Sequence, residues 1–312
     1  MTDVLTARVD IALALYDGQR WLADFLDSVA RQSYRNWRMV VADDGSRDGS
    51  VDTLRNYFRE RPHQLLIVPR TRERTGAARA FADALAMCTA DFIALADQDD
   101  IWLPEKIERL LAAIGTHEAG RPCLAYSDMK VVDQDLNPIT GSWWHYSKTR
   151  SSWALSVRHT ICQNTVPGCA MMLNRALLRR ALPIPLEVAM HDWWILLVAL
   201  ASGKVLDVAE PLVLYRRHAA AHTFEPQGGM HGAIKRLLFE SDKITVEYEK
   251  SIAQATAFLD RFALELQLQD RKAVSIYVSS RSAGWLRRRY LLSKGRFRKS
   301  TLLGSARFYA SV

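Results

Sequence analysis

The sequence predicts an α/β protein with a mostly parallel central sheet and a helical, basic C-terminal extension. Four apolar runs, at residues 9–16, 37–42, 65–68 and 91–96, have the length and composition of buried strands. Each run is followed by a segment in which apolar residues recur at helical spacing. Strands and helices that alternate in this way form a mostly parallel sheet.

The first half of the chain repeats this strand and helix unit. Apolar residues at helical spacing predict the first two helices: Trp21, Leu22, Phe25, Leu26 and Val29, then Val51, Leu54, Tyr57 and Phe58. A third helix is predicted over residues 76–87. Pro104 opens a fourth, because proline is tolerated in a first helical turn and the acids that follow suit its positive end.

The pattern becomes less regular after residue 123. Further strands are predicted at residues 124–132 and 168–174 and, interrupted at Pro211, at 206–214. Further helices are predicted at residues 175–182 and 191–201, the second ended by Gly203. The stretch 133–160 is polar and rich in tryptophan, with few periodic cues. We predict a long functional or mobile loop there.

Three carboxylates, Asp97, Asp99 and Asp100, stand directly after the fourth apolar run. In an open α/β sheet, loops at the carboxyl ends of strands form the ligand crevice. Side chains two residues apart on an extended segment can point the same way, so Asp97 and Asp99 are candidates to hold one hard cation that also holds a diphosphate. The alternative is a solvated acidic turn, but adjacent carboxylates repel one another unless a positive group lies among them.

The composition is that of an ordinary globular protein, with 312 residues of which 49% are hydrophobic and 24% charged. The four cysteines have neither C-x-x-C nor metal-ligand spacing, which is typical of reduced thiols in a cytosolic protein. We expect no secretory signal and no transmembrane helix. The net charge of +8 is concentrated in residues 281–312, which contain nine Lys or Arg and no acids.

Short motifs along residues 9–222 resemble those of family 2 glycosyltransferases, in the same order. The subgroup that the chain resembles most contains bacterial rhamnosyltransferases and related enzymes of surface-polysaccharide synthesis. Any one motif is weak, whereas their shared order is specific. The matching motifs are Tyr16-Asp17-Gly18, Val41-Ala42-Asp43-Asp44-Gly45-Ser46, Asp97-Gln98-Asp99-Asp100-Ile101-Trp102, Pro167-Gly168-Cys169, His191-Asp192-Trp193-Trp194 and Tyr215-Arg216-Arg217-His218.

The resemblance implies a GT-A fold, a Rossmann-like α/β/α sandwich, that binds a nucleotide-diphosphate sugar and a divalent metal. On the donor side it implies that Asp43 and Asp44 accept hydrogen bonds from the base and ribose, with an N-cap or turn role as the alternative. Asp97 and Asp99 would meet the metal and ribose, with Asp100 as a third acid and Mg²⁺ or Mn²⁺ as the ion. Tyr16 and Asp17 face the donor at the first strand's turn, and Arg79 is a candidate phosphate contact or a solvated helix arginine.

On the acceptor side, the resemblance implies transfer with inversion, and Asp192 is our candidate general base. Its alternative role is a helix cap. His191 would orient Asp192 or bind the acceptor or donor, and Arg217 and His218 would reach the diphosphate. Two departures stand out: Leu15 replaces the more usual Thr, and the segment after His218 reads Ala-Ala-Ala-His where the subgroup tends to have a later Asn.

We therefore predict a nucleotide-sugar transferase domain at residues 1–225 and a helical, basic extension at residues 226–312. The predicted enzyme builds a surface glycan on a glycan or lipid-linked acceptor. The alternatives are a phosphatase or phosphotransferase with an acidic metal loop and a non-catalytic sugar-binding homologue. The basic tail predicts peripheral attachment to an anionic membrane at the cytoplasmic face, and no nucleic-acid partner is expected.

Overall fold

The computed structural model describes residues 6–69, 74–117, 120–149, 151–218 and 241–312. Within these ranges the chain forms a sheet with helices on both faces. The strands are β1 (Val9–Leu15), β2 (Trp37–Asp43), β3 (Leu65–Ile67), β4 (Phe92–Ala96), β5 (Ile101–Trp102), β6 (Cys123–Val132), β7 (Pro138–Thr140), β8 (Met171–Asn174) and β9 (Lys204–Arg216).

The helices follow the predicted strand and helix alternation and then continue to the C-terminus. They are α1 (Gln19–Ala30), α2 (Ser50–Tyr57), α3 (Ala77–Met87), α4 (Lys106–Gly115), α5 (Trp143–Tyr146), α6 (Val157–Thr160), α7 (Arg175–Ala181), α8 (His191–Ser202), α9 (Ser241–Phe262), α10 (Leu268–Ser279), α11 (Trp285–Lys294) and α12 (Leu302–Ser311). Among the described residues, no helix combines the length and the apolar character that a membrane span requires.

The nine-stranded sheet has the order β3-β2-β1-β4-β8-β6-β9-β5, with β7 paired to β6. Strands β1 to β4 pair in parallel, as do β6 and β9, whereas β8 runs antiparallel between β4 and β6. The prediction of an α/β fold with a mostly parallel sheet is confirmed. In this register Leu13 lies opposite both Val41 and Ala96, so β1, β2 and β4 end at the same edge.

The predicted loop at residues 133–160 needs correction. This stretch contains β7, α5, a 3₁₀ helix at Ser151–Leu155 and α6. These elements are too short to produce a visible period in the sequence, and the two-residue strand β5 was not predicted for the same reason. The interruption predicted at Pro211 is a register irregularity opposite Asp128, where the missing N–H is tolerated, and β9 continues beyond it.

The C-terminal helices pack against α8, and both sides of that packing are apolar. Trp194 of α8 meets Phe258 edge-on at 6.3 Å, and Tyr277, Phe297 and Phe308 join the same core. This explains why α8 is apolar on all sides, since it is covered by the sheet on one face and by α9 on the other. The predicted domain boundary after residue 225 lies outside the described residues, so the division into two domains stays a prediction.

Candidate functional site

The loop after β4 is fastened to the loop after β1 by one side-chain amide. Gln98 accepts a hydrogen bond from the Tyr16 N–H (2.9 Å) and donates one to the Tyr16 carbonyl (2.8 Å). A Cβ at Gly18 would lie 2.5 Å from Gln98 Cδ, so only glycine leaves room for this pair of bonds. These two hydrogen bonds, called the Gln98 clasp below, hold the acidic loop in a defined position at the sheet edge. Sequence reasoning assigned no role to Gln98.

The predicted donor-side aspartates shape the loops in which they lie. Asp17 has a positive φ of 43° and accepts a hydrogen bond from the Arg47 N–H (2.8 Å). Asp43 accepts bonds from Gly45 and Ser46, which makes it a turn residue. Each carboxylate keeps further acceptor capacity, so their contacts with a nucleotide stay predictions.

Asp44 connects the end of β2 to the start of α3. One carboxylate oxygen accepts from the Thr75 N–H (2.7 Å) and the other from the Gly76 N–H (2.8 Å). Next to it, the Arg74 guanidinium lies 3.8 Å from the centre of the Tyr16 ring, a cation–π contact. Tyr16 and Arg74 therefore form a flat surface at the sheet edge, of which the sequence revealed only Tyr16.

An acidic cluster lies where β4 ends. Oxygen atoms of Asp97 and Asp100 and the Sγ of Cys169 lie within 4.8 Å of one another. Asp100 is 1% exposed; one of its oxygens accepts from the Arg216 N–H (3.0 Å), and the other has no hydrogen-bond partner among the described residues. The cluster pairs Asp97 with Asp100 rather than with Asp99, which differs from the pairing expected on the extended segment.

Burial and mutual repulsion disfavour the charged forms of both acids. Burial, with the nearby Asp99 and Asp192 carboxylates, raises the pKa of Asp97 to about 7. Burial, with Asp99 and Asp97, raises the pKa of Asp100 well above its ordinary value. A cation bound between these acids would offset their mutual repulsion and so stabilise the folded state.

A buried lysine lies beneath the cluster. Lys106 Nζ donates to the Cys169 carbonyl (2.5 Å) and lies 3.4 Å from the centre of the Trp102 ring. Burial lowers the pKa of Lys106 to about 7, although Cys169, Asp100 and Asp97 act in the opposite direction. The sequence contained Lys106 only as an ordinary residue of the predicted helix, because burial of a first-turn lysine has no signature in the sequence.

These groups fit a divalent cation. Asp100 presents a buried carboxylate oxygen without a partner, and Asp97 adds a second oxygen within reach. Oxygen ligands suit Mg²⁺ and Mn²⁺. Burial raises the pKa of Cys169 well above its ordinary value, so its sulfur is a neutral thiol at neutral pH and a poor ligand for such ions. The two carboxylates would hold the ion.

Asp99 faces a different group. One of its oxygens lies 2.7 Å from His218 Nε2, and the His218 ring stacks on Trp21 at 5.4 Å between centroids. The predicted contacts of Asp99 with a metal and of His218 with a diphosphate stay predictions. Arg217 is held through its N–H to the Val132 carbonyl (2.8 Å), and its contact with a diphosphate also stays a prediction.

Arg216 joins the acidic loop to the end of β9. Its buried guanidinium donates to the carbonyls of Asp99 (2.9 Å) and Gln134 (2.8 Å) and to the carboxylate of Asp24 (3.0 Å). It also lies 4.4 Å from the centre of the Trp21 ring. Arg216 was part of a quoted motif but received no role, because the sequence does not show which of two adjacent arginines turns inward.

We expect Arg216→Lys to lower the free energy of unfolding by about 3 kcal/mol. Lysine keeps the charge but cannot serve three separate acceptors, and a buried acceptor without a donor costs about 1–3 kcal/mol. Urea unfolding measures the loss. Arg109→Lys is the matched control, since its pair with Glu210 is half exposed (3.2 Å) and such pairs contribute about 0–1 kcal/mol. Equal losses in the two variants would contradict the assigned role.

Asp192 lies at the start of α8 and is held by backbone donors. One oxygen accepts from the Gly168 N–H (3.0 Å), the other from the Trp193 N–H (2.7 Å), and the Asn164 side chain adds a further bond. Burial raises the pKa of Asp192 to about 6 despite these bonds. Gly168 is followed by Cys169 of the acidic cluster, so the 3₁₀ turn Gly168–Ala170 links Asp192 to this cluster, and the Asp192 carboxylate contributes to the raised pKa of Asp97.

His191 and Arg79 lie close to this region but make other contacts. The His191 ring stacks on Phe81 at 3.7 Å, and burial lowers its pKa to about 3, which keeps it neutral. Neither of its ring nitrogens has a hydrogen-bond partner among the described residues. Arg79 pairs with Asp83 of its own helix at 3.6 Å. The ligand contacts expected of both residues stay predictions.

The fold and site together define an α/β protein with an acidic cluster at the carboxyl end of β4, the edge at which open α/β sheets bind ligands. The model of the family described as glycosyl transferase family 2 matches residues 10–179. The chain belongs to this family. The expected resemblance is thereby confirmed, and the matched region contains strands β1, from its second residue, to β8, the acidic cluster and the Gly168–Ala170 turn.

Two relatives align with about two thirds of the chain. An uncharacterized glycosyltransferase of Nostoc is 25% identical over 215 residues, which cover 68% of this chain and 66% of that protein. A dTDP-rhamnosyl transferase of Shigella flexneri is 20% identical over 219 residues, 66% of this chain and 71% of that protein. For the first relatives, the matches span 66%, 39% and 50% of the relatives' own length.

Solved structures show the same fold. The S. aureus TarS fragment 1–349, crystallised with UDP-GlcNAc, superposes with a TM-score of 0.57 at 15% identity and covers 97% of this chain and 90% of that one. The likeness therefore includes the C-terminal helices as well as the family region. It confirms the expected GT-A architecture.

Proposed function

We propose that this protein is a metal-dependent, inverting glycosyltransferase that moves a sugar from a nucleotide-diphosphate sugar to a hydroxyl group of a glycan or lipid-linked acceptor. The observation that carries the proposal is the juxtaposition of two acidic groups of different chemistry. Asp97 and the buried Asp100 form a pair suited to a cation, and the Asp192 carboxylate, held by the Gly168 N–H, interacts electrostatically with Asp97. Membership of glycosyl transferase family 2 supports the same reaction class.

The donor would lie across the carboxyl ends of β1, β2 and β4. Tyr16 and Arg74 offer a flat surface for the base, and the loops held by Asp17, Asp43 and Asp44 border it. Asp97 and Asp100 would hold Mg²⁺ or Mn²⁺, which supplies positive charge to the departing diphosphate. The Gln98 clasp keeps the acids in place, which lowers the entropy lost on binding.

Asp192 would act as the general base. Its carboxylate accepts the proton of the acceptor hydroxyl while the hydroxyl oxygen bonds to the anomeric carbon and the bond from that carbon to the diphosphate oxygen breaks. A single displacement of this kind inverts the configuration at that carbon. The pKa of Asp192, raised to about 6, suits the role, because the group is ionised at neutral pH yet more basic than an exposed aspartate.

We extend the proposal to the synthesis of a surface polysaccharide at the cytoplasmic face of the membrane. The relative from Shigella flexneri is named a dTDP-rhamnosyl transferase, and rhamnose or another hexose is the sugar class that we propose for this chain. The nine cations and the absence of acids in residues 281–312 support peripheral attachment to an anionic lipid surface.

A thermal-shift screen of nucleotide-diphosphate sugars with and without Mn²⁺ tests the proposed function. A ligand that binds only the folded state raises the melting temperature by mass action. We expect one nucleotide class to raise the melting temperature only when Mn²⁺ is present, followed by transfer to an added acceptor. Stabilisation by no donor, or full transfer in excess EDTA, would overturn the metal-dependent mechanism.

A further inference from the structure

Helix α11 exposes large apolar side chains that are not packed in the core. Trp285 is 57% exposed, Leu286 75% and Tyr290 61%. Arg287 and Lys294 are exposed on the same helix. Four of these residues, Leu286, Arg287, Tyr290 and Lys294, lie on one side of the helix and are called the α11 face below.

The orientation of α11 is determined by contacts on its opposite side. Leu292 is fully buried, and Arg288 donates to the carbonyls of Ser280 (3.1 Å) and Arg281 (3.2 Å). At 100° per residue, positions 288 and 292 lie together and away from positions 286, 287, 290 and 294, whereas Trp285 lies near the side of 288 and 292. The outward direction of the α11 face is therefore a consequence of packing.

Cations lie beside the aromatic rings of this helix. The Arg289 guanidinium lies 3.8 Å from the centre of the Trp285 ring, and Lys294 Nζ lies 5.7 Å from that of Tyr290. No acid occurs between Arg281 and Val312 in the sequence, and the acids of α9 that pair with this segment contact Arg281 (Glu249, 3.1 Å) and Lys299 (Glu247, 2.8 Å), both outside α11. The surface combines positive charge with apolar side chains. Water solvates the cations favourably but does not solvate the apolar side chains favourably.

We propose that the α11 face binds anionic phospholipid headgroups, with Leu286 and Tyr290 inserted at the boundary between headgroups and acyl chains. Aromatic side chains with a polar tip favour this boundary, and each nearby Lys or Arg gains from the negative surface potential. A nucleic acid would match the cations, but it offers no environment for Leu286. The inference specifies the membrane attachment included in the proposed function, and its test requires no transfer reaction.

Point substitutions are needed to test the α11 face, because removal of the tail would damage the core. Phe297 and Phe308 are each 1% exposed and belong to the cluster that covers α8. The first test variant is Leu286→Ser/Tyr290→Ser and the second is Arg287→Gln/Lys294→Gln. Their controls are Leu264→Ser/Leu268→Ser and Lys204→Gln/Lys250→Gln, which change exposed apolar and exposed cationic residues elsewhere.

The experiment is co-sedimentation of the full chain with vesicles of phosphatidylglycerol mixed with phosphatidylcholine, and with phosphatidylcholine alone, at low and at 0.5 M salt. We expect binding only to the anionic vesicles, weakened by salt. The cation variant should bind roughly 25-fold more weakly, about fivefold for each charge, while both controls bind like the unchanged protein. The apolar variant should also bind at least about tenfold more weakly.

Three results would overturn the proposal: no binding to anionic vesicles at low salt, equal losses in test and control variants, or displacement from vesicles by a DNA duplex that binds the α11 face more tightly. Thermal unfolding of each variant shows that the fold is intact. Because vesicle binding is independent of catalysis, failure of the α11 face leaves the proposed transfer reaction standing, and failure of transfer leaves the α11 face standing.

Discussion

Asp100→Asn is expected to abolish metal-dependent donor binding and to leave the fold intact. The substitution removes the buried carboxylate oxygen that has no partner in the described part of the chain, whereas the amide oxygen can still accept from the Arg216 N–H. Loss of a direct ligand should lower Mn²⁺ affinity by more than about 100-fold, since changes to residues that only support a metal ligand already cost about 10–100-fold. Mn²⁺ titration by calorimetry measures the affinity, and transfer should become nearly undetectable.

Thermal stability gives a second, independent measure of Asp100→Asn. Burial and neighbouring acids raise the pKa of Asp100 in the folded state, so the metal-free protein loses stability as the pH rises above the ordinary pKa of aspartate. The neutral amide removes that loss, and the metal-free variant should be at least as stable as the unchanged protein. Saturating Mn²⁺ at about 100 times its Kd should stabilise the unchanged protein by about 2.7 kcal/mol and the variant hardly at all.

Comparison with Asp99→Asn decides which acids bind the metal. Asp99 is paired with His218, so its variant should keep most of the Mn²⁺ affinity if the Asp97 and Asp100 pair holds the ion. Asp52→Asn, at an exposed helix position, is the control for loss of a surface charge. If Asp99→Asn lost Mn²⁺ binding and Asp100→Asn kept it, the pairing expected from the extended segment would be correct and the proposed ligand pair wrong.

Asp192→Asn is expected to keep donor affinity and to lose two or more powers of ten in kcat. Removal of a general base typically costs about 10²–10⁴ in rate. Asparagine has nearly the same shape, and its single side-chain oxygen can still accept from one of the two N–H groups, at Gly168 or Trp193, so most of the site geometry should be kept. Donor binding measured by thermal shift should be unchanged. Loss of donor binding with unchanged turnover would assign Asp192 to the donor site instead.

The pH dependence of the reaction follows from the pKa of Asp192, which is about 6. A base acts in its deprotonated form, so kcat at saturating donor and Mn²⁺ should rise about tenfold per pH unit below that pKa and level off above it. In Asp192→Asn this dependence should disappear together with most of the rate. A pH profile that is the same in both proteins would show that a different group supplies the base.

Much of the fold could be predicted from the sequence because the relevant signals are local. The buried strands from Val9 to Ala96 and the helices between them follow from apolar periodicity and from the residues that start and end each element. The edge at which the site lies also follows, since parallel strands joined by helices end at one side. The positions of Asp97, Asp100 and Asp192 at strand and helix ends were therefore visible before the structure.

Which of these residues act together depended on the tertiary structure. The sequence favoured Asp97 with Asp99, because alternate side chains on an extended segment share a face, but the chain turns at the clasp between Gln98 and Tyr16 and brings Asp100 to Asp97. Lys106 and Cys169 joined this cluster through contacts between residues 63 positions apart in the chain. Contacts between residues so far apart in the chain produce no periodic pattern in the sequence.

The sequence by itself determined the order of strands and helices, the family resemblance and the basic character of the C-terminal segment, because these depend on residue types and their local spacing. The tertiary structure alone decided that Arg216 rather than Arg217 turns inward, that Asp192 is linked to the acidic cluster, and that Leu286 faces outward while Phe308 lies in the core. These choices depend on which side of each element the rest of the chain covers. Packing over the whole molecule sets that coverage.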